Sequence, residues 1–311
     1  MNGPNIFDYA TSELSQDAFL CYLLAFGKEK YKMDFPKEYM LAHKFLAKCG
    51  IDEKEEILSV GQQVEHIDVL IITTSHILII EDKTYTDEHD DQIIRYVKNM
   101  RKSEEKFLND KKIKVCFLKT GDYVKSYSSS DESVLQNKDC CSLRRKNLLE
   151  LLKDYYKCNL VFEMFYKRLL SVEEAIEQCD SENIFDWNRY KWFDFLYNTL
   201  IEKKKVFDIK WVHNPNGGFY GCWFGSHKLG EIEKYKQIEI HFNEKGTEFV
   251  DLCLKCSSES KEKTQKYKSD MEKWQKESGF NRPDRWRIGR TTTYATKQAI
   301  NVRDIQNFIK K

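Results

Sequence analysis

The clearest pattern in the chain is a change of hydrophobic period. From Ser12 to Phe26, Leu14, Ala18, Cys21, Tyr22 and Ala25 recur at helical spacing and Gly27 supplies a stop. A second helix is predicted from Pro36 to the terminator Gly50. The stretch EEILSVGQQVEHIDVLIITTSHILIIEDKT, 55–84, then turns to short Val- and Ile-rich runs broken at Gly61 and at Thr73 to His76, as in a strand meander. Helix returns over Asp87 to Lys102, where Ile93, Tyr96, Val97 and Met100 form a stripe, and Ile113 to Leu118 reads as a buried strand. A strand, a helix and a strand in that order predict a crossover with parallel pairing.

Further along, Gly121 to Ser142 is polar and serine-rich and reads as a surface loop or lid, and Leu143 to Cys179 as helix in two pieces. Around CDSENIFDWN the pattern suggests a boundary, giving a domain over 1–179 and a smaller α+β domain over 180–311. The second begins with an aromatic-rich helix, Trp187 to Lys205, whose Trp187, Trp192, Phe193, Phe195 and Tyr197 are too dense for one face. A hairpin at Asn216-Gly217-Gly218, two alternating strands in IEIHFN and EFVDLCLKC, a long charged helix and a short terminal helix complete it.

Within HIDVLIITTSHILIIEDK the apolar runs carry charges that a buried strand does not tolerate unless they are paired or bind something. If the turn is centred between Thr74 and Ser75, Asp68 lies directly opposite Glu81 on one face, and Lys83 points to the same place. Two opposed carboxylates repel, and a hard divalent cation between them removes the repulsion. Lys83 is then placed to orient or deprotonate a water, or to neutralise charge on a phosphate. The plainer alternative is a solvent-facing sheet with ordinary ion pairs. Asp82 faces the other way and is left to a supporting or solvated role.

Composition narrows the setting. The chain has 311 residues, 41% of them hydrophobic and 32% charged, enough for two domain cores, and it has no apolar run near the roughly 20 residues of a membrane span. Its first residues lack a secretion-signal pattern, so a cytoplasmic chain with ten reduced cysteines is expected. Cys253 and Cys256 form a lone C-x-x-C and Cys140 and Cys141 are adjacent, spacings that argue against structural zinc. Net charge is +1, yet the segment 257–311 holds 14 Lys and Arg against 7 Asp and Glu. Arg282, Arg285, Arg287 and Arg290, interleaved with aromatics, are candidate phosphate-backbone contacts; the competing reading is a solvated charged helix.

The pattern I-D-x12-E-x-K resembles the core of the PD-(D/E)XK nuclease superfamily, and the resemblance extends over about Asn5 to Leu118, with weaker agreement to Leu170. Ile67 stands where the nominal proline would precede Asp68. It is closest to a bacterial subgroup in which the E-x-K strand leads into H-x-x-Q-x-x-x-Y, here His89, Gln92 and Tyr96. The resemblance implies an α/β (α+β) fold of restriction-endonuclease type, a mixed β-sheet flanked by helices, and a metal-dependent nuclease acting on DNA, in a subgroup linked to defence against mobile elements. It implies that Asp68 and Glu81, with the carbonyl of Asp82, hold Mg2+ or Mn2+, that Lys83 positions the attacking water, and that Glu13 serves a water of the metal shell or a second ion. Gln92 and Tyr96 would face the site, although Tyr96 also belongs to the apolar stripe, and His89 would reach a phosphate or cap its helix.

A homodimer is the expected arrangement for cutting two strands, and a freely active nuclease calls for a regulatory protein partner. The rival classes are a silent module that keeps the fold and binds nucleic acid or protein, and a scaffold or inhibitor acting through protein contacts.

Overall fold

The computed structural model describes residues 4–83, 91–102, 110–121, 131–202, 205, 207–214, 217–244, 246–284 and 286–310. It divides into two compact units, Met1–Glu174 and Ala175–Lys311.

The first unit is built on a five-stranded sheet of β1 (Ile57–Val64), β2 (Ile67–Thr73), β3 (His76–Lys83), β4 (Lys112–Lys119) and β5 (Cys140–Arg144), in that order. β1 to β3 form an antiparallel meander, and β3–β4 and β4–β5 pair in parallel. The central strand β3 is apolar on both faces because both are covered. On one face Leu78, Ile80, Cys116 and Leu118 pack with residues of α1 (Glu13–Ala25), α2 (Pro36–Lys48), α4 (Arg145–Leu152) and α5 (Leu160–Glu177). On the other, Leu70, Ile77, Ile79, Val115 and Phe117 pack with the Ile93, Ile94, Tyr96, Val97 and Met100 stripe of α3 (Gln92–Arg101). The sheet is thus mixed and flanked by helices, as the sequence predicts.

Three expectations are corrected. The predicted apolar stripe of α1 is its outer side: Leu14 and Tyr22 are exposed, while Gln16, Asp17, Phe19, Leu20, Leu23 and Leu24 are buried. Two polar residues on the inward face displaced the period that the sequence shows. The polar segment after Gly121 contains β5, which five residues and two cysteines made hard to recognise as a strand. The last is the end of the chain, expected to hold only a long charged helix and a short terminal one, where Thr291 to Gln298 form a strand between them.

The second unit carries α6 (Arg189–Glu202) and an antiparallel sheet ordered β10-β9-β8-β7-β6, made of β6 (Phe207–Val212), β7 (Phe219–Leu229), β8 (Ile232–Asn243), β9 (Gly246–Ser257) and β10 (Thr291–Gln298). Its charged helix breaks at Tyr267 into α7 (Lys261–Lys266) and α8 (Lys268–Ser278), and α9 (Val302–Lys310) closes the chain. Gly217 and Gly218, at φ 112° and 93°, take the left-handed backbone of the β6–β7 turn that other residues avoid. Trp187, Trp192, Phe193 and Tyr197 are buried, so the dense aromatics of α6 are core. Among the described residues no helix is long and apolar enough to cross a membrane.

Candidate active site

Strands β2 and β3 pair Val69 with Ile80, Leu70 with Ile79 and Ile71 with Leu78, the register that a turn between Thr74 and Ser75 requires. One step further along that register brings Asp68 and Glu81 together. Lys83 Nζ lies 2.6 Å from Glu81 Oε1 and 3.4 Å from Asp68 Oδ2, so a single ammonium bridges both carboxylates. The side chain of Glu81 is 0% exposed and those of Asp68 and Lys83 only 13% and 11%, which keeps the charges in a low-dielectric setting. The backbone N–H of Asp82 donates to Asp68 Oδ2 at 2.9 Å and fixes that carboxylate.

Burial alone would lower the pKa of the Lys83 ammonium. The hydrogen bond and charge of Glu81, with the charges of Asp68 and Glu13, outweigh it and drive the pKa above the usual lysine range. Glu13, half-buried in the first turn of α1, belongs to the same field.

A turn just upstream aims Asp68. Val64 pairs with Ile67 across Glu65 and His66, both at positive φ, a tight hairpin that normally selects Gly or Asn. Tyr96 Oη donates to the His66 carbonyl at 2.5 Å and receives a hydrogen bond from the Gln92 amide, one turn earlier on α3. The ring of Tyr96 is packed in the core, and burial raises its pKa, with the negative charges of Glu81 and Asp68 adding to the rise. Gln92 and Tyr96 thus reach the site through the backbone that carries Asp68. His89 lies outside the described residues.

Asp82 is not solvated. The pleat sends it to the opposite face, where it is 1% exposed and accepts a hydrogen bond from the Gln16 amide. Gln16 also accepts from Thr120 Oγ1 at 2.5 Å, tying α1 to the ends of β3 and β4. Asp17, 1% exposed, stands beside Asp82, and two adjacent buried carboxylates cannot both ionise. Burial, and then the charge of Asp17, push the Asp82 pKa well up; burial and then the charge of Asp68 push that of Asp17 to about 6. Gln63 Nε2 spans to Asp17 Oδ2 at 3.1 Å and Asp68 Oδ1 at 3.2 Å, joining the two acid pairs.

Gln16, Asp17 and Gln63 were not singled out by the sequence because each acts across 40 or more residues of chain, or through the positive φ of Gln63. Lys119, 2% exposed, stands beside Lys83 in the parallel register of β3 and β4 and was also missed; the alternation of KIKVCFLK was its signal. Arg145 braces the end of β4, donating to the carbonyls of Thr120 and Gly121 at 2.8 and 3.1 Å while its Nε pairs with Glu173.

The arginines of the second unit are only partly assembled. Arg282 lies 4.0 Å over the Trp286 ring, and with Arg287 and Lys297 it lines a cavity of about 740 Å3. Glu239, Asp251 and Asp284 line the same cavity, so the wall is of mixed charge rather than basic. Arg290 is exposed and is not among the residues lining that cavity, and Arg285 lies outside the described residues.

A buried and a half-buried carboxylate facing each other and held by a cation are a donor set suited to a hard divalent ion. The sheet, the acid pair at the strand ends and the adjoining lysine are the arrangement that the resemblance to a nuclease core implies. The chain matches the PD-(D/E)XK nuclease superfamily over residues 4–205 and belongs to it. No curated protein and no solved structure matches it.

Proposed function

We propose that the protein is a metal-dependent nuclease that hydrolyses DNA phosphodiester bonds. The observation that carries this reading is the convergence of Asp68 and Glu81 on one cation, Lys83 Nζ, at the end of a buried strand. Asp68 and Glu81, with the Asp82 carbonyl, would hold Mg2+ or Mn2+. The ion supplies a lowered pKa for water and charge relief at the phosphate.

Lys83, held against both carboxylates, would position the attacking water and offset charge on the phosphate. The charge of Glu13 adds to the field at Lys83, a place suited to ordering a water of the metal shell. Tyr96 and Gln92 fix the turn that aims Asp68. His89, Arg282, Arg285, Arg287 and Arg290 are assigned to the phosphate backbone, and a cut through both strands would take two copies of the chain. A cytoplasmic setting, a regulatory protein partner and a role against mobile elements complete the proposal.

The test is plasmid nicking in Mg2+ or Mn2+ by the wild type, Asp68→Ala and Lys83→Ala. Cleavage by the wild type alone supports the assignment. Equal cleavage by all three overturns it, and binding without cleavage in either metal favours a silent nucleic-acid-binding module.

A further inference from the structure

On the face of the first sheet away from Glu81, three thiols from three separate elements meet. Cys49 is the residue that caps the C-terminal end of α2, Cys116 is in β4, and Cys141 is its direct partner in the edge strand β5. Their sulfur atoms all lie within 4.8 Å of one another. Cys49 is 3% exposed and Cys116 0%, while Cys141 is half-buried and leaves a route to solvent.

We propose that Cys49, Cys116 and Cys141 form a binding site for one soft d10 cation, Zn2+ or Cu+, that ties the end of α2 to β4 and β5. With a metal–sulfur bond of about 2.3 Å, a tetrahedral site sets its sulfurs about 3.8 Å apart and a trigonal one about 4.0 Å apart. Both lie inside the observed bound. Thiolates select such ions over the hard cations that carboxylates prefer. The same spacing is too tight for a multi-iron cluster to sit between the sulfurs.

The surroundings suit an anionic centre. Lys114, two residues before Cys116 and so on the same face of β4, is close enough to act electrostatically on Cys141. Its ammonium is held by Asp139 Oδ1 at 2.9 Å. A Zn2+ or Cu+ ion bound by thiolates leaves a net negative centre beside that cation.

The site also has a structural use. β5 is a five-residue edge strand, and an ion shared between it, β4 and the end of α2 would cross-link positions far apart in sequence. Cysteines that served only as small apolar fillers would not need to face one another.

The experiment uses the full chain, purified reduced and metal-free. Titration with Co2+ as the Zn2+ probe should give a thiolate charge-transfer band saturating at one equivalent. Competition against a chromophoric Zn2+ chelator and a Cu+ chelator then decides which ion is preferred. Cys116→Val and Cys141→Val should lose the band, and Cys253→Val, at a buried cysteine elsewhere, should keep it. If the valine variants fail to fold, alkylation of wild-type Cys141 provides the second readout: one equivalent of Zn2+ or Cu+ should slow it at least tenfold. A wild type that shows no charge-transfer band and no protection by either ion overturns the proposal, as does a band that survives in Cys116→Val and Cys141→Val. Nuclease activity enters none of these readouts, so this result stands or falls apart from the assignment of Asp68 and Glu81.

Discussion

Glu81 and Asp82 are consecutive, both almost wholly buried, and they solve the cost of burial in opposite ways. Glu81 is held against the ammonium of Lys83. Asp82 turns to the other face, meets Asp17 and Gln16, and burial, then the charge of Asp17, drives its pKa well up. One residue of pleat separates carboxylates bridged by an ammonium from a pair of acids held by hydrogen bonds to Gln16 and Gln63. Burial therefore does not identify a working carboxylate; the partner on its own face does.

The largest effect should come from deleting the cation. Lys83→Ala removes the ammonium that bridges Asp68 and Glu81, and it should lower stability by about 3–5 kcal/mol, read from urea midpoints. Added Mg2+ should recover more of that loss than it adds to the wild type, because the bridging ammonium is gone. Equal Mg2+ effects in both proteins would mean that the pair does not attract a divalent ion.

A smaller effect concerns the opposite face. A carboxyl whose folded pKa is above its unfolded value binds extra protons in the folded state, so its contribution favours folding at low pH and is lost as pH rises. For Asp17, whose folded pKa is raised to about 6 from the usual 3.8, that loss falls between about pH 4 and pH 6. The groups facing it are Asp68, Asp82, Lys83 and Gln63. Asp17→Asn should therefore be more stable than the wild type at pH 7 and lose that advantage toward pH 4. Urea denaturation at a series of pH values checks it, and parallel curves for the two proteins would contradict it.

The least disruptive change is Tyr96→Phe. It removes the hydroxyl that donates to the His66 carbonyl while keeping the packed ring, and should cost about 1–2 kcal/mol in stability. If Tyr96 acts by aiming Asp68, kcat should fall with little change in KM. A change in KM alone would place the hydroxyl on substrate instead.

What the sequence revealed follows from distance along the chain. Asp68 and Glu81 are thirteen residues apart across one tight hairpin, so counting from the turn was enough to oppose them. The α3 stripe and the parallel crossover were legible for the same reason, since each is a local period. Asp17 and Gln16 were not, because they interrupt the apolar face of α1 and made its outer side look like the buried one. Cys49, Cys116 and Cys141 were the hardest, since no sequence spacing joins α2 to β4 and an edge strand hidden in a polar segment. The arginines of the second unit show the same limit on the positive side. A local excess of positive charge was visible, but the carboxylates of Glu239 and Asp251 come from β8 and β9 and reach the same cavity only through the sheet.

The contrast between the two faces of β3 meets its most direct test in Mg2+-dependent plasmid nicking by wild type, Asp68→Asn and Asp82→Asn, run side by side. Asp68→Asn removes a charged oxygen from the face of Lys83 and should lower the rate at least a hundredfold. Asp82→Asn replaces a carboxyl on the opposite face whose ionisation burial and Asp17 oppose, leaves its backbone carbonyl in place, and should cost less than tenfold. The reverse order, or equal losses from both, would contradict the assignment of the cation-binding face.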